Sequence, residues 1–221
     1  MKIIEPSFEI LRPKENDGVY CLQIIESAAR ISHRSEDKQT PESWKRFIQA
    51  VVLEHGDWSV VEHVSASVLF RVDRGITHEL VRHRLFSFTQ ESTRFVNGRK
   101  SYPNGLEFIL PIEMRGDHTS VANTENTFRH CEMDYLYLLD RGIRPQEARS
   151  VLPNATAATI LVTGNLRNWR HFFLMRTSKE THPDFRRVTI PLLEEFKKRI
   201  PLLFDDIQPL ARQIDNMRLP R

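Results

Sequence analysis

The run Arg82-His83-Arg84-Leu85-Phe86-Ser87-Phe88-Thr89-Gln90-Glu91-Ser92-Thr93-Arg94 sets the reading of this chain. Two arginines flanking a histidine lead into a stretch rich in hydroxyl and amide groups, closed by another arginine. Guanidinium groups bind planar carboxylates and phosphates through bidentate, charge-assisted hydrogen bonds. Serine, threonine and glutamine supply the directional contacts that a nucleobase edge requires. Cations at a helix C-terminus also complement the macrodipole, which accounts for one or two of them but not for the polar run that follows. Between Arg71 and Lys100, seven Lys or Arg stand against three acids, a surplus of four, while the whole chain is only +3. A local positive focus of this kind attracts phosphate-bearing ligands, whether a nucleotide or a polymer.

Working outward, Val64, Ala66, Val68, Phe70 and Val72 alternate with mostly polar residues, the period of a half-buried strand. After Gly75 the pattern turns helical through Ile76, Leu80 and Val81, placing Arg82, His83 and Arg84 near that helix's C-terminal end. Upstream, Thr40-Pro41-Glu42 reads as an N-cap, a first-turn proline and a first-turn acid for a helix through Trp44, Ile48 and Val52 that stops near Gly56. Downstream the spacing predicts a strand near 106–110, a long helix over 121–140 ending at Gly142, and a short helix between Pro145 and Pro153. A strand at 155–162 and helices over 167–178, 183–199 and 202–216 follow. The expected class is α+β, a single domain over residues 1–221 with a small, mainly antiparallel sheet among many helices.

The absences narrow the chemistry. The eight glycines form neither G-x-G-x-x-G nor a P-loop, so arginines and stray backbone amides must hold any phosphate. There is no H-E-x-x-H, and His78 and His83 are five apart on different helix faces, so no metal site is expected. No G-x-S-x-G elbow supports a serine hydrolase. Cys21 and Cys131 stand alone, which reads as two reduced, buried or partly buried thiols rather than a disulfide or zinc site. No apolar run reaches the roughly 18 residues of a membrane span, and Glu5, Pro6 and Glu9 interrupt any leader core, so the cytoplasm is the expected compartment.

Arg82-His83-Arg84, seven residues, then Ser92 and Arg94 resembles the R-H-R-x7-S signature of the flavin-dependent thymidylate synthases. The segment 54–63, Glu-His-Gly-Asp-Trp-Ser-Val-Val-Glu-His, is similar to that family's H-G-x-x-(S/T)-x-x-E-H element. Ala28-Ala29-Arg30-Ile31-Ser32, residues 145–153 (P-x-E-A-R-x-x-L-P) and residues 165–176 (N-x-R-x-x-x-H-F, with Met175-Arg176) resemble three further elements in the family's order. The resemblance covers residues 27–190. Thr89-Gln90, Phe95 and Asp57 stand where some members carry Asn-Glu, Tyr and His, and 181–186 follows the family pattern only loosely.

The resemblance implies a homotetramer whose active sites draw on several chains, FAD as cofactor, dUMP as substrate, and methylenetetrahydrofolate and NADPH as cosubstrates. By motif position, Ser32, Ser59, Glu62, Arg82, His83, Arg84, Gln90, Asn165, Arg167 and His171 would lie along FAD. Glu79, Arg82, Gln90, Glu91, Ser92, Thr93, Arg94, Arg149 and Arg176 would face dUMP. Arg176 would offset charge developing on a uracil oxygen. Ser92 reads as a substrate contact or, given an oriented base, a nucleophile. His55 and His63 read equally as ordinary element-end residues, and Trp169, Phe172 and Phe173 as core packing. Two rivals stand beside this: an enzyme making another 5-substituted pyrimidine, and an RNA- or DNA-binding module stacking bases on Phe86, Phe88 and Phe95. No nucleic-acid or membrane partner is expected.

Overall fold

A computed structural model describes residues 1–209. The strands are β1 (Lys2–Ile3), β2 (Ser7–Arg12), β3 (Ser65–Asp73), β4 (Ser87–Gln90), β5 (Glu107–Phe108) and β6 (Ala157–Asn165). The helices are α1 (Gly18–Ile31), α2 (Ser43–Phe47), α3 (Arg74–Leu80), α4 (Gly98–Ser101), α5 (His118–Asp140), α6 (Pro145–Ala148), α7 (Leu166–Arg176) and α8 (Pro183–Arg199). A four-stranded antiparallel sheet runs β2-β3-β6-β4, and β1 pairs with β5 in a separate parallel pair. The α+β class expected from the sequence is what the chain adopts.

The sheet is one-sided because β3 and β6 alternate. Ala66, Val68, Phe70 and Val72 of β3 and Ile160 and Val162 of β6 point into the core. Against them pack Leu22 and Ile25 of α1, Trp169, Phe172 and Phe173 of α7, and Phe185, Leu192 and Phe196 of α8. Trp169 donates its indole N–H to the Ala66 carbonyl at 3.1 Å, which satisfies the one polar atom it buries. A smaller core joins Phe108, Phe128, Tyr135 and Ala148 beneath α5 and α6.

Both long strands run straight into helices. Asp73 ends β3 and caps α3 by accepting from Ile76 N at 2.9 Å; Asn165 ends β6 and caps α7 by accepting from Asn168 N at 2.9 Å. Since β3 and β6 are antiparallel, with Asp73 opposite Ala157 and Ser65 opposite Asn165, the two helices start from opposite ends of the sheet. The segment after α3 therefore returns to the first turns of α7, and Phe86 lies against Gly164 near the end of β6.

Three expectations shift. The helix predicted after Thr40 starts at Ser43, and from Ile48 to Glu54 it widens into a π-helical turn that ends at Gly56, φ +89°. Residues 87–90, for which no strand was expected, form β4 as an edge partner of β6. The helix expected over 202–216 is a series of turns from Pro201 to Asp206, with Leu203, Phe204 and Ile207 buried in the main core; residues 210–216 lie outside the described residues. Among the described residues no helix is long and apolar enough to cross a membrane.

Candidate active site

The returning segment and α7 enclose a pocket of about 280 Å³ lined by Arg82, His83, Arg84, Leu85, Phe86, Asn168, His171, Met175 and Arg176. Phe86 is what seats this segment. Its ring packs edge-on against Trp169, 4.8 Å between centroids, and against Phe172 at 6.0 Å. Asn168 Nδ2 donates to the Leu85 carbonyl at 3.3 Å, closing the segment onto α7. The result is an apolar wall of Leu85, Phe86 and Met175 beneath guanidinium groups.

Arg176 is the most constrained of those groups. Its Nε donates to His83 Nε2 at 2.9 Å, and Nη1 donates to Glu79 Oε2 at 2.7 Å. Its guanidinium carbon also sits 5.2 Å from the Phe185 ring centre. His83 accepts on Nε2, which assigns its proton to Nδ1. Burial, then the charge of Arg176, then His171, push the His83 imidazole down to about 4, so it is neutral at physiological pH. Between the ordinary value of 6.5 and about 4 the unfolded chain takes up a proton that folded His83 refuses. Stability therefore falls on acidification through that window. Replacing His83 with Asn should flatten that part of the denaturation-midpoint against pH curve, and an unchanged slope would remove His83 as its source.

The remaining predicted flavin residues do not line this pocket. Arg167 pairs with Glu62 at 2.6 Å, joining α7 to the 3-10 turn Trp58–His63 that also carries the exposed Ser59. Ser32 follows α1 and donates to the Ala29 carbonyl at 2.8 Å. Asn165 is occupied as a helix cap. His55 and His63 are exposed at element ends, and Trp169, Phe172 and Phe173 are core residues.

Residues 90–94 and Arg149 form a second group, none of which lines that pocket. Gln90 Nε2 donates to Thr77 Oγ1 at 3.0 Å. Arg149 Nη1 donates to Thr93 Oγ1 at 3.1 Å, while Arg94 and Phe95 are exposed. Ser92 accepts from Arg94 N at 3.3 Å, and among the described residues no base hydrogen-bonds its hydroxyl, so it suits a ligand contact better than a nucleophile. Glu91 is committed to Arg71 and Tyr102.

Arg74 was not legible as part of this group. It is half-buried at the start of α3, its main-chain N–H spent on the Asn154 and Thr156 carbonyls, and it forms no ion pair among the described residues. Burial and then the neighbouring charge of Arg149 lower its pKa, with Glu91 acting in the opposite direction. Asn168, Leu85 and Met175 were likewise missed as pocket walls; only α7's wheel, with 168, 171 and 175 on one side, hints at them.

Residues 20–202 match the family described as "Thymidylate synthase complementing protein". The chain is 36% identical over 205 residues to the flavin-dependent thymidylate synthase of Corynebacterium efficiens, covering 84% of this chain and 79% of that protein. It is 36% identical over 223 residues to the enzyme of the same description from Mycobacterium sp. (strain JLS), covering 90% and 85%. The fold is shared with the UMP/dUMP methylase PolB from Streptomyces cacaoi bound with 5-Br dUMP, at a TM-score of 0.76 and 24% identity, covering 93% and 96%. With its Arg82-His83-Arg84 segment folded onto α7, this chain belongs to the thymidylate synthase complementing protein family, that of the flavin-dependent thymidylate synthases.

Proposed function

We propose that the chain converts dUMP to dTMP by reductive methylation, with FAD in the pocket between the 82–86 segment and α7, methylenetetrahydrofolate as one-carbon donor and NADPH as reductant. The observation that carries this is the convergence of Arg82, His83, Arg84, His171 and Arg176, from two distant motifs, on one pocket. The residues present fit the cofactor: an apolar wall suits a flat ring system, and Arg82 and Arg84 at its rim suit a pyrophosphate. When bound, the flavin supplies the hydride that completes the methyl group.

The chain's own residues bind and orient. Glu79 and His83 hold the Arg176 guanidinium in place, so it offsets charge on a pyrimidine oxygen without reorganising. Ser32, Ser59, Glu62, Asn165 and Arg167 extend the flavin side, and Ser92, Thr93, Arg94 and Arg149 take the dUMP phosphate. The separation of the phosphate group of residues from the flavin pocket of the same chain supports the reading, implied by the family resemblance, that each site joins two copies within a homotetramer. Leu85 and Phe95, 80% and 79% exposed, mark the faces that a second copy would cover. A one-domain, cytoplasmic enzyme completes the proposal.

The test is the visible spectrum of the purified protein before and after anaerobic NADPH, with and without dUMP. An oxidised-flavin band that bleaches supports the proposal and leads to direct assay of dTMP. A colourless protein that takes up no added FAD overturns it, and binding to polynucleotide with steep salt dependence would then favour the nucleic-acid reading.

A further inference from the structure

We propose that Arg71 is a positioning residue for the phosphate side of the site, restraining the Glu91 carboxylate so that Arg74 and Arg149 stay free for an anion. The proposal rests on the reading of Thr93, Arg94 and Arg149 as phosphate contacts. Glu91 belongs to the signature run and was expected to face dUMP, yet its carboxylate is fully engaged elsewhere. It accepts from Arg71 Nη1 at 2.8 Å, from the Tyr102 hydroxyl and from the main-chain N–H of Thr159 at 3.2 Å. Its own N–H donates to the Thr159 carbonyl at 2.8 Å.

Arg71 is the hub of that arrangement. It stands opposite Thr159 in the β3–β6 register, on the face of the sheet turned away from the main core. Nη1 also donates to Thr159 Oγ1 at 2.8 Å, and Nη2 donates to Glu107 Oε2 at 2.6 Å and to the Tyr102 oxygen at 3.3 Å. One guanidinium thereby ties together β3, β6, the residue after α4, β5 and the end of β4. A planar fork with five donors can do this and an ammonium cannot.

Glu91 is also the last fixed point before the Ser92-Thr93-Arg94 turn, where Val96 N and Phe95 N return to the Ser92 carbonyl at 2.9 and 3.2 Å. Glu91 also sits in the chain between residues tied to both arginines: Gln90 Nε2 donates to Thr77 Oγ1 at 3.0 Å, which itself donates to the Arg74 carbonyl at 2.9 Å, and Thr93 Oγ1 accepts from Arg149 at 3.1 Å. Were the carboxylate released, it would turn toward Arg74 and Arg149, which form no ion pair among the described residues, and occupy the charge that a phosphate needs. Arg71 therefore fixes the turn and keeps the acid away from the anion site.

The test compares dUMP with deoxyuridine, which lacks the phosphate, by calorimetric titration of FAD-loaded protein, alongside KM and kcat for dUMP. Arg71→Met should weaken dUMP binding about tenfold, as expected for losing one charge-assisted contact. Deoxyuridine affinity, kcat and flavin content should stay near wild type. The double variant Arg71→Met/Glu91→Gln should recover part of the lost dUMP affinity, because the released charge is gone. A purely structural role makes the double variant no better than the single. Tyr102→Phe, which removes one donor to Glu91, should move dUMP affinity in the same direction by a smaller factor, and serves if Arg71→Met does not fold. Unchanged dUMP affinity, equal loss for both ligands, or no recovery in the double variant overturns the proposal. A wild-type protein that binds flavin but not dUMP overturns the phosphate reading beneath it as well.

Discussion

Arg176→Ala is expected to lower kcat for dTMP formation by about 10²–10³-fold, the cost of removing one preorganised donor from a developing oxyanion, while flavin remains bound. The guanidinium is held by Glu79, by His83 and over the Phe185 ring, so its direction is set before any ligand arrives. Arg176→Lys keeps the charge but cannot reach Glu79 and His83 together, and should fall between the two. The alanine variant also removes a positive neighbour of His83, so the His83 imidazole should titrate at higher pH than in the wild type. That shift, followed by NMR, reports the geometry independently of turnover. An Arg176→Ala enzyme with an intact rate and a raised His83 pKa would keep the contact and discard the catalytic role.

Much of the frame was legible because its burial repeats at fixed periods. β3 alternates over nine residues, and α5, α6, α7 and α8 are bounded by Asp117, Pro145, Asn165 and Pro183, residues with a cap or first-turn preference. α1 was not read, although Leu22, Ile25 and Ala29 follow helical spacing. Asp17 makes no side-chain cap, and Gly18 looks like a breaker until its place is seen: a Cβ there would fall 1.5 Å from the Arg199 carbonyl. β4 has the strand period, Phe86 and Phe88 inward and Ser87 and Thr89 outward, but its polar residues drew a ligand-binding reading instead. The signature run announced a nucleotide site, and the family resemblance divided it between flavin and dUMP; that residues 82–86 and residues 90–94 would be held apart did not show in the residues themselves. That separation comes from α3 doubling back, so that residues 82–86 end on α7 while residues 90–94 are carried along β6 to its other end. Arg71 and Arg74 counted only as charge, because strand register and a helix start give them their roles.

The core and the pocket share one side chain, and this gives the second large effect. Trp169→Ala should cost about 3–5 kcal/mol of folding stability, the usual range for emptying a large aromatic site. At about 2–4 °C per kcal/mol for a chain of this size, thermal unfolding should fall by roughly 10 °C. Trp169 is fully buried, contacts the rings of Phe70, Phe86, Phe172, Phe173 and Phe196, and donates to Ala66 of β3. Collapse around such a cavity is hindered because the sheet backs it on one side and α8 on the other. The consequence reaches the site through Phe86, whose ring lies between Trp169 and a glycine: any Cβ at Gly164 would come within 2.1 Å of it. With the indole gone, Phe86 can sink into the cavity and draw Arg84 and Leu85 with it, so flavin affinity should drop along with stability. Trp169→Phe separates the two effects. It keeps an aromatic wall for Phe86 and loses mainly the bond to Ala66, about 1 kcal/mol, so it should retain flavin while unfolding slightly earlier. Equal flavin loss in the two variants would mean that the indole N–H, rather than the packing of Phe86, governs the pocket.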